Sequence, residues 1–325
     1  MTNRIGVVGG DGIGPEVISE GLKVIKASGV ELETVEYDLG GERYERDGTV
    51  LPDSVLDEWR SLDAIYLGAV GTPNVPPGVI ERGLLLKMRF ELDLYINLRP
   101  FVFPKNEIDF QVVRENTEGP YAGEGGVHRI GTPYEIATQG SVNTRHGVER
   151  AVRFAFELAM KRRGHLTMVH KTNVLSFAGD LWDRTFNEVA SEYPEVETAY
   201  NHCDAACIYM VQSPQQYDVI VTDNLFGDIL TDLGGAVSGG IGTASSANLN
   251  PKKTGPSMFE PVHGSAPDIA GQSIANPVAA ILSGAMMLDF LGEKKASVKI
   301  VEACNKLNPK VTGTKEIGDS IAGDL

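Results

Sequence analysis

Ile5-Gly-Val-Val-Gly-Gly-Asp-Gly-Ile-Gly-Pro-Glu-Val-Ile18 decides the fold class. Ile5 to Val8 reads as a buried strand, the glycines as a tight turn, and Val17, Ile18, Gly21, Leu22, Val24 and Ile25 as the apolar face of a following helix. Pro15 suits a first helical position, where its missing donor costs nothing. The glycines invite a dinucleotide reading, but Pro15 stands where the third glycine of G-x-G-x-x-G belongs, and no Walker lysine with Ser or Thr follows. The strand-turn-helix alternation repeats at Leu32 to Tyr37, from Pro52, at Ala64 to Leu67 and near Gly83 to Glu91, which makes this an α/β protein.

At 325 residues, 42% hydrophobic and 22% charged, the chain buries a substantial core, with two domains expected. The net charge of -15 argues against nucleic acid or an anionic membrane surface as main partner. No run reaches transmembrane length and Arg4-Ile-Gly-Val-Val opens no signal peptide, so a cytoplasmic enzyme is expected. Cys203, Cys207 and Cys304 form no disulfide framework, and His202-Cys203-Asp204 with Cys207 reads as a packed helix before a soft-metal cluster.

Chemistry collects at the ends of elements. Arg89, Arg99 and Arg114 lie at such ends, with Leu84, Leu85 and Leu86 nearby; three guanidinium forks suit a diacid, although most arginines are solvated surface charges. A long amphipathic helix from Thr144 to Arg163 precedes strand Leu166 to Val169, which delivers Lys171 just past its carboxyl end; spacing alone does not separate a catalytic lysine from an exposed one. After strand Val219 to Val221, Asp228 and Asp232 stand four residues apart, on one face of a helix. A hard divalent ion, Mg²⁺ or Mn²⁺, would relieve their repulsion; complementing the helix dipole explains the pair equally well. Gly234 to Pro256 marks a domain crossing, and Phe259 to Gly271, carrying His263 and Asp268, reads as a loop too polar for a core strand. Asn276-Pro277 then caps an apolar helix that Gly292 stops.

More specific than periodicity are six collinear motifs: Gly10-Asp-Gly-Ile-Gly-Pro-Glu16, Asn97-Leu-Arg-Pro100, Val113-Arg-Glu-Asn-Thr-Glu-Gly-Pro-Tyr121, His170-Lys-Thr-Asn-Val174, Asp223-Asn-Leu-Phe-Gly-Asp-Ile-Leu-Thr-Asp232 and Glu260-Pro-Val-His-Gly-Ser-Ala-Pro-Asp-Ile269. Nearly end to end, the chain resembles the isocitrate/isopropylmalate family of metal-dependent β-decarboxylating dehydrogenases. The resemblance implies a two-domain α/β fold with a large mixed sheet flanked by helices, not a true Rossmann fold. It implies a discontinuous cofactor-binding domain of residues 1–94 and 240–325, and a second domain, 95–239, carrying the dimer interface and metal ligands. Arg89, Arg99 and Arg114 would hold the substrate carboxylates, and Leu84 and Leu85 its distinguishing substituent. Asp228 and Asp232, with Asp204 from the neighbouring subunit of a homodimer with shared sites, would bind Mg²⁺ or Mn²⁺ and, through it, substrate. Lys171, also from the neighbour, would assist removal of the hydroxyl proton, a task that calls for a lowered pKa, and Tyr121 would protonate the enolate. NAD would lie against Gly264, Ser265, Ala266, Pro267, Asp268, Ile269, Ala270, Gly271, Gln272, Ser273, Ile274, Ala275 and Asn276, with His263 and Glu260 beside it. Asp268 would accept from the ribose hydroxyls and disfavour NADP.

Three departures bear on substrate identity. The segment between Arg99 and Arg114 is short, one extra residue lies between Gly83 and Arg89, and Glu118 is similar to isocitrate and tartrate enzymes. Against isocitrate, Val79-Ile-Glu-Arg82 lacks the Ser-x-x-Asn pattern; against D-malate or tartrate stand Glu81 and the leucine pair. The expected substrate is therefore 3-isopropylmalate of leucine biosynthesis, with D-malate, tartrate, isocitrate and homoisocitrate as alternatives. Readings from other classes are a catalytically silent metabolite-binding protein, which the intact Tyr121, Lys171 and aspartates oppose, and a phosphate-transfer enzyme, which lacks its lysine.

Overall fold

A computed structural model describes residues 2–103 and 106–325. The chain divides into two compact units, residues 1–94 with 239–325 and residues 95–238.

In the first unit, β1 (Asn3–Val8), β2 (Leu32–Glu36) and β3 (Ala64–Leu67) alternate with α1 (Gly14–Ala27), α2 (Gly41–Asp47) and α3 (Asp53–Trp59). A π-helical turn over Glu81–Leu86 then runs into α4 (Lys87–Glu91). The chain later returns as β11 (Ser245–Leu249), β12 (Ser257–Pro261), α9 (Val278–Leu291), α10 (Lys294–Lys306) and α11 (Thr314–Gly323). The strand order is β2-β1-β3-β12-β11, parallel except for β11. Every residue of β3 is buried, as an apolar run covered on both faces requires. Helix α9 is apolar all round and packs against α1, α10 and β12, so it is an interior helix without a solvent stripe.

One expectation fails here. Phe259 and Glu260 are not loop but part of β12, whose five residues are all buried; the polar stretch before it, where the chain passes between the two units, contains buried β11 as well. Composition misleads because the polar side chains are satisfied locally: Asn248 Nδ2 donates to Glu260 Oε1 at 2.7 Å.

The second unit begins with a hairpin of β4 (Ile96–Phe103) and β5 (Ile108–Glu115), paired antiparallel from Ile96↔Glu115 to Phe103↔Ile108. An exposed hairpin of β6 (Gly125–His128) and β7 (Ile136–Gln139) follows. Next come α5 (Arg145–Met160), β8 (His165–His170), α6 (Ser176–Ala190), β9 (Glu197–His202), α7 (Cys203–Gln212), β10 (Val219–Thr222) and α8 (Asn224–Val237). The order is β4-β5-β10-β8-β9, parallel from β5 to β9. Both units thus mix parallel and antiparallel strands under helices, as expected of a mixed α/β sheet. Within the described residues no helix is long and apolar enough to cross a membrane.

Candidate active site

One face of α8 organises the second unit's polar cluster. Asp223 caps the helix, accepting from Phe226 N at 2.8 Å. From that start Asn224, Asp228, Thr231 and Asp232 fall at helical spacings of i, i+4, i+7 and i+8. The opposing surface is the β4–β5 hairpin, where Asn97 lies across from Arg114 and Arg99 is two residues further on, so both arginines project from one side. Arg114, only 1% exposed, donates from Nε to Asn224 Oδ1 at 2.9 Å and from Nη1 to Asp228 Oδ1 at 2.5 Å. A guanidinium this desolvated costs several kcal/mol unless paired, and its two α8 acceptors supply the pairing. Arg99 donates from Nη1 to Thr231 Oγ1 at 2.6 Å and lies 3.8 Å from Asp232 Oδ1.

The Arg114 stem crosses α8 at Gly227. A Cβ there would stand 2.5 Å from Arg114 Cγ, so glycine is what lets strand and helix approach. Tyr121, in the short helical turn Pro120–Ala122, donates its hydroxyl to Asp228 Oδ2 at 2.6 Å, and the Arg114 guanidinium lies over its ring at 5.1 Å. Asp228 thereby accepts from a predicted substrate arginine and from the predicted proton donor.

Lys171, just past β8, pairs instead with Asp204 at the start of α7, Nζ to Oδ1 at 2.6 Å. Lys171 is raised in this chain, because it donates to the Asp204 carboxylate, which is itself held below its ordinary range by the ammonium. Among the described residues no three His, Cys, Asp or Glu side chains of one chain gather as a metal cluster. The donor chemistry of Asp228 and Asp232 nevertheless fits a hard cation: two carboxylates on one helical turn, with side chains 40% and 68% exposed, leave positions for substrate oxygen and water. Cys203 and Cys207 are free thiols packed against the core of this unit, in keeping with the packed-helix reading.

Two carboxylates outside the cluster hold the loop that leads to Tyr121. Glu115 accepts from Thr117 N and Oγ1 and from Glu118 N; burial pushes its carboxyl up to about 7 despite these bonds. Glu118 accepts from Thr144 N at 2.8 Å and from the Thr144 hydroxyl, bracing the residue that caps α5 by accepting from Gly147 N at 2.9 Å. Its side chain is committed to that cap, which explains its presence without a substrate. Behind Lys171, His170 is wholly buried, stacked on Trp182 and edge-on to Phe226, with Nε2 3.6 Å from Asp223 Oδ2. Burial lowers His170 to about 4 and raises Asp223 to about 6.

In the first unit Arg89, buried on α4, lies with Nη2 3.8 Å from Glu260 Oε1. Glu260, expected beside the cofactor, faces this arginine and also accepts from Asn248 Nδ2. The residues before Arg89 correct another expectation. Lys87 N bonds back to Arg82 O, five residues earlier, so the extra residue between Gly83 and Arg89 is taken up as a π-helical turn. Leu84 is fully buried with Ile80, Met88 and Leu92 in the core, and offers nothing to a ligand. Leu85 and Leu86 are half-buried and sit one turn before Arg89.

The 263–276 loop is fixed at several points. Ile13 N donates to Ser265 O at 2.9 Å, Thr314 donates to Ser273 O and Ala275 O, and Asn276 Oδ1 accepts from Val278 N at 3.0 Å. His263 is lowered by burial and its Nδ1 is 3.1 Å from Gly264 O. Ala266 and Ser273 hold left-handed backbone, φ 38° and 56°, a strain that concentrates at binding segments. Asp268 is exposed, and its backbone carbonyl accepts from Gln272 Nε2 at 2.7 Å.

Sequence reasoning missed Asn224, Thr231 and Gly227. Their signal was available in the helical spacing from Asp228, once the face opposite α8 is known to carry arginines.

The comparisons with known proteins agree with this arrangement. Residues 4–322 match the family model described as isocitrate/isopropylmalate dehydrogenase. The chain is 58% identical to a 3-isopropylmalate dehydrogenase of Nocardia farcinica, covering 98% of this chain and 99% of the relative, and 57% identical to one of Corynebacterium glutamicum, covering 99% of each. Among solved structures it is similar to an isocitrate dehydrogenase from Methylococcus capsulatus, TM-score 0.91 at 37% identity over 99% of both chains. A β-decarboxylating dehydrogenase from Thermococcus kodakarensis gives 0.83 at 39% identity, over 100% of this chain and 96% of that one. The chain belongs to the isocitrate/isopropylmalate dehydrogenase family.

Proposed function

We propose that the chain catalyses NAD-dependent oxidative decarboxylation of 3-isopropylmalate to 4-methyl-2-oxopentanoate and CO₂, a step of leucine biosynthesis. The observation that carries this reading is the α8 face, where Asp228 meets Arg114 and Tyr121 in one hydrogen-bonded group. Asp228 and Asp232 would hold Mg²⁺ or Mn²⁺, which would supply Lewis acidity, and the 263–276 loop would hold NAD, which would supply the hydride acceptor. Arg99 and Arg114 exchange their α8 carboxylates for those of the substrate, with Arg89 as the third guanidinium. Tyr121 holds its hydroxyl proton at Asp228 and returns a proton to carbon after CO₂ departs. Leu85 and Leu86 contact the isopropyl group, in place of buried Leu84. The exposed Asp268 carboxylate favours NAD by repelling a 2′-phosphate.

Lys171 and Asp204 serve the site of a second copy in a homodimer. Supporting this, they pair with each other while Asp228 pairs elsewhere, and α7 and α8 leave Ile208, Val211, Leu225 and Ile229 exposed. Lysine acts as base only after leaving Asp204, since that carboxylate holds its proton on.

Initial rates of NADH formation with 3-isopropylmalate, isocitrate, homoisocitrate and D-malate, with and without chelator, test the reading. Turnover should be highest with 3-isopropylmalate, vanish with chelator and return with Mg²⁺; preference for another acid would sink the substrate assignment. Mixing Lys171→Ala with Asp228→Asn protein should recover activity after subunit exchange, and verified exchange without recovery would refute the shared site.

A further inference from the structure

We propose that Asp11 is a positioning residue for NAD, acting through the turn that braces the 263–276 loop; this rests on that loop being where NAD binds. Asp11 is 3% exposed and lies in the glycine turn after β1. Its Oδ2 accepts from Gly41 N and from Gly71 N, each at 2.7 Å, and its Oδ1 accepts from Glu42 N at 3.1 Å. Its own N–H donates to Ala69 O at 2.8 Å. One carboxylate therefore ties the turn after β1 to the start of α2 and to the segment after β3, at the carboxyl ends of parallel strands, where α/β proteins bind ligands.

The next two residues carry this fixity to the loop. Ile13 N donates to Ser265 O at 2.9 Å. Gly12 has φ +57°, and a Cβ there would come within 2.1 Å of the same Ser265 oxygen. The loop thus rests directly on the turn, next to strained Ala266. No reacting atom need touch Asp11 for its loss to be felt, since a loop aimed by a neighbouring shell binds in proportion to how well that shell is held.

Asp11→Asn keeps the size of the side chain but leaves one acceptor oxygen for three N–H donors and turns an amide NH₂ toward one of them. KM for NAD should rise about tenfold, with KM for 3-isopropylmalate within about twofold of wild type, and calorimetric NAD affinity should fall in parallel. Gly12→Ala, which pushes Ser265 from the other side, should show the same selectivity and serves if Asp11→Asn does not fold. Asp63→Asn is the control, because Asp63 Oδ2 also accepts a backbone N–H, from Arg4 at 2.7 Å, and should lower melting temperature without moving either KM. Equal rises in both KM values, an unchanged NAD affinity, or the same NAD defect in Asp63→Asn would overturn the proposal while leaving the proposed function standing. Wild-type protein that binds no NAD would overturn both.

Discussion

Thr231→Val isolates the hydrogen bond that aims Arg99. The two side chains have the same shape, so on a residue only 1% exposed the replacement removes just the hydroxyl, which accepts from Arg99 Nη1 at 2.6 Å and donates to the α8 carbonyls of Gly227 and Asp228 at 2.8 and 3.0 Å. A bond from a charged donor contributes about 1.5–3 kcal/mol, or roughly ten- to 150-fold in an equilibrium. Arg99 has a carboxylate within reach, Asp232 at 3.8 Å, and can relax toward it, so the lower end applies. KM for 3-isopropylmalate should rise about tenfold, KM for NAD should stay within about twofold, and Thr231→Ser should recover wild-type values. Initial NADH formation against acid concentration at saturating NAD, and against NAD concentration at saturating acid, both with saturating Mg²⁺, measures all three. An unchanged KM, or a serine variant as impaired as the valine one, would show that α8 does not aim this arginine.

Further perturbations separate structural from functional side chains. Glu118→Ala should cost about 1 kcal/mol of stability by releasing Thr144, the residue that caps α5, and leave KM for the acid unchanged; a large KM rise would return Glu118 to the substrate. Leu84→Ala should destabilise by about 2–5 kcal/mol as a core cavity, whereas Leu86→Ala should leave the melting temperature nearly alone and narrow the preference for 3-isopropylmalate over D-malate. His170 stays neutral in the fold down to about 4, while in the unfolded chain it takes up a proton below 6.5. Its contribution is therefore present above 6.5 and lost as pH falls toward 4. His170→Phe should flatten that acid limb of melting temperature against pH, and an unaltered limb would assign it to other groups.

Strands buried on both faces were legible because they spell unbroken apolar runs, as at Ala64–Leu67 and Val219–Thr222. The helix beginning at Thr144 and the stop at Gly292 were equally readable, the first from its apolar spacing and the second because a left-handed end demands glycine. β11 and β12 escaped because buried Ser246, Asn248 and Glu260 look like loop until their partners are known. Spacing brought Asp228 and Asp232 onto one face but gave no hint of what faces them, because the pairing of Asn97 with Arg114 across β4 and β5 is a property of register. Nor does spacing say which leucine is buried, since that depends on a helical turn of unusual pitch.

With Leu85 and Leu86 against the isopropyl group as proposed, that turn would make the choice of acid sensitive to deletion as well as to substitution. Excising one residue from Glu81–Leu86 would restore ordinary winding, and whatever lies upstream would swing by about 100° relative to Arg89. A different leucine would then come around to the ligand's tail while the downstream anchors, Met88 and Leu92, stayed seated. A codon lost at this point re-indexes the dial without touching its letters.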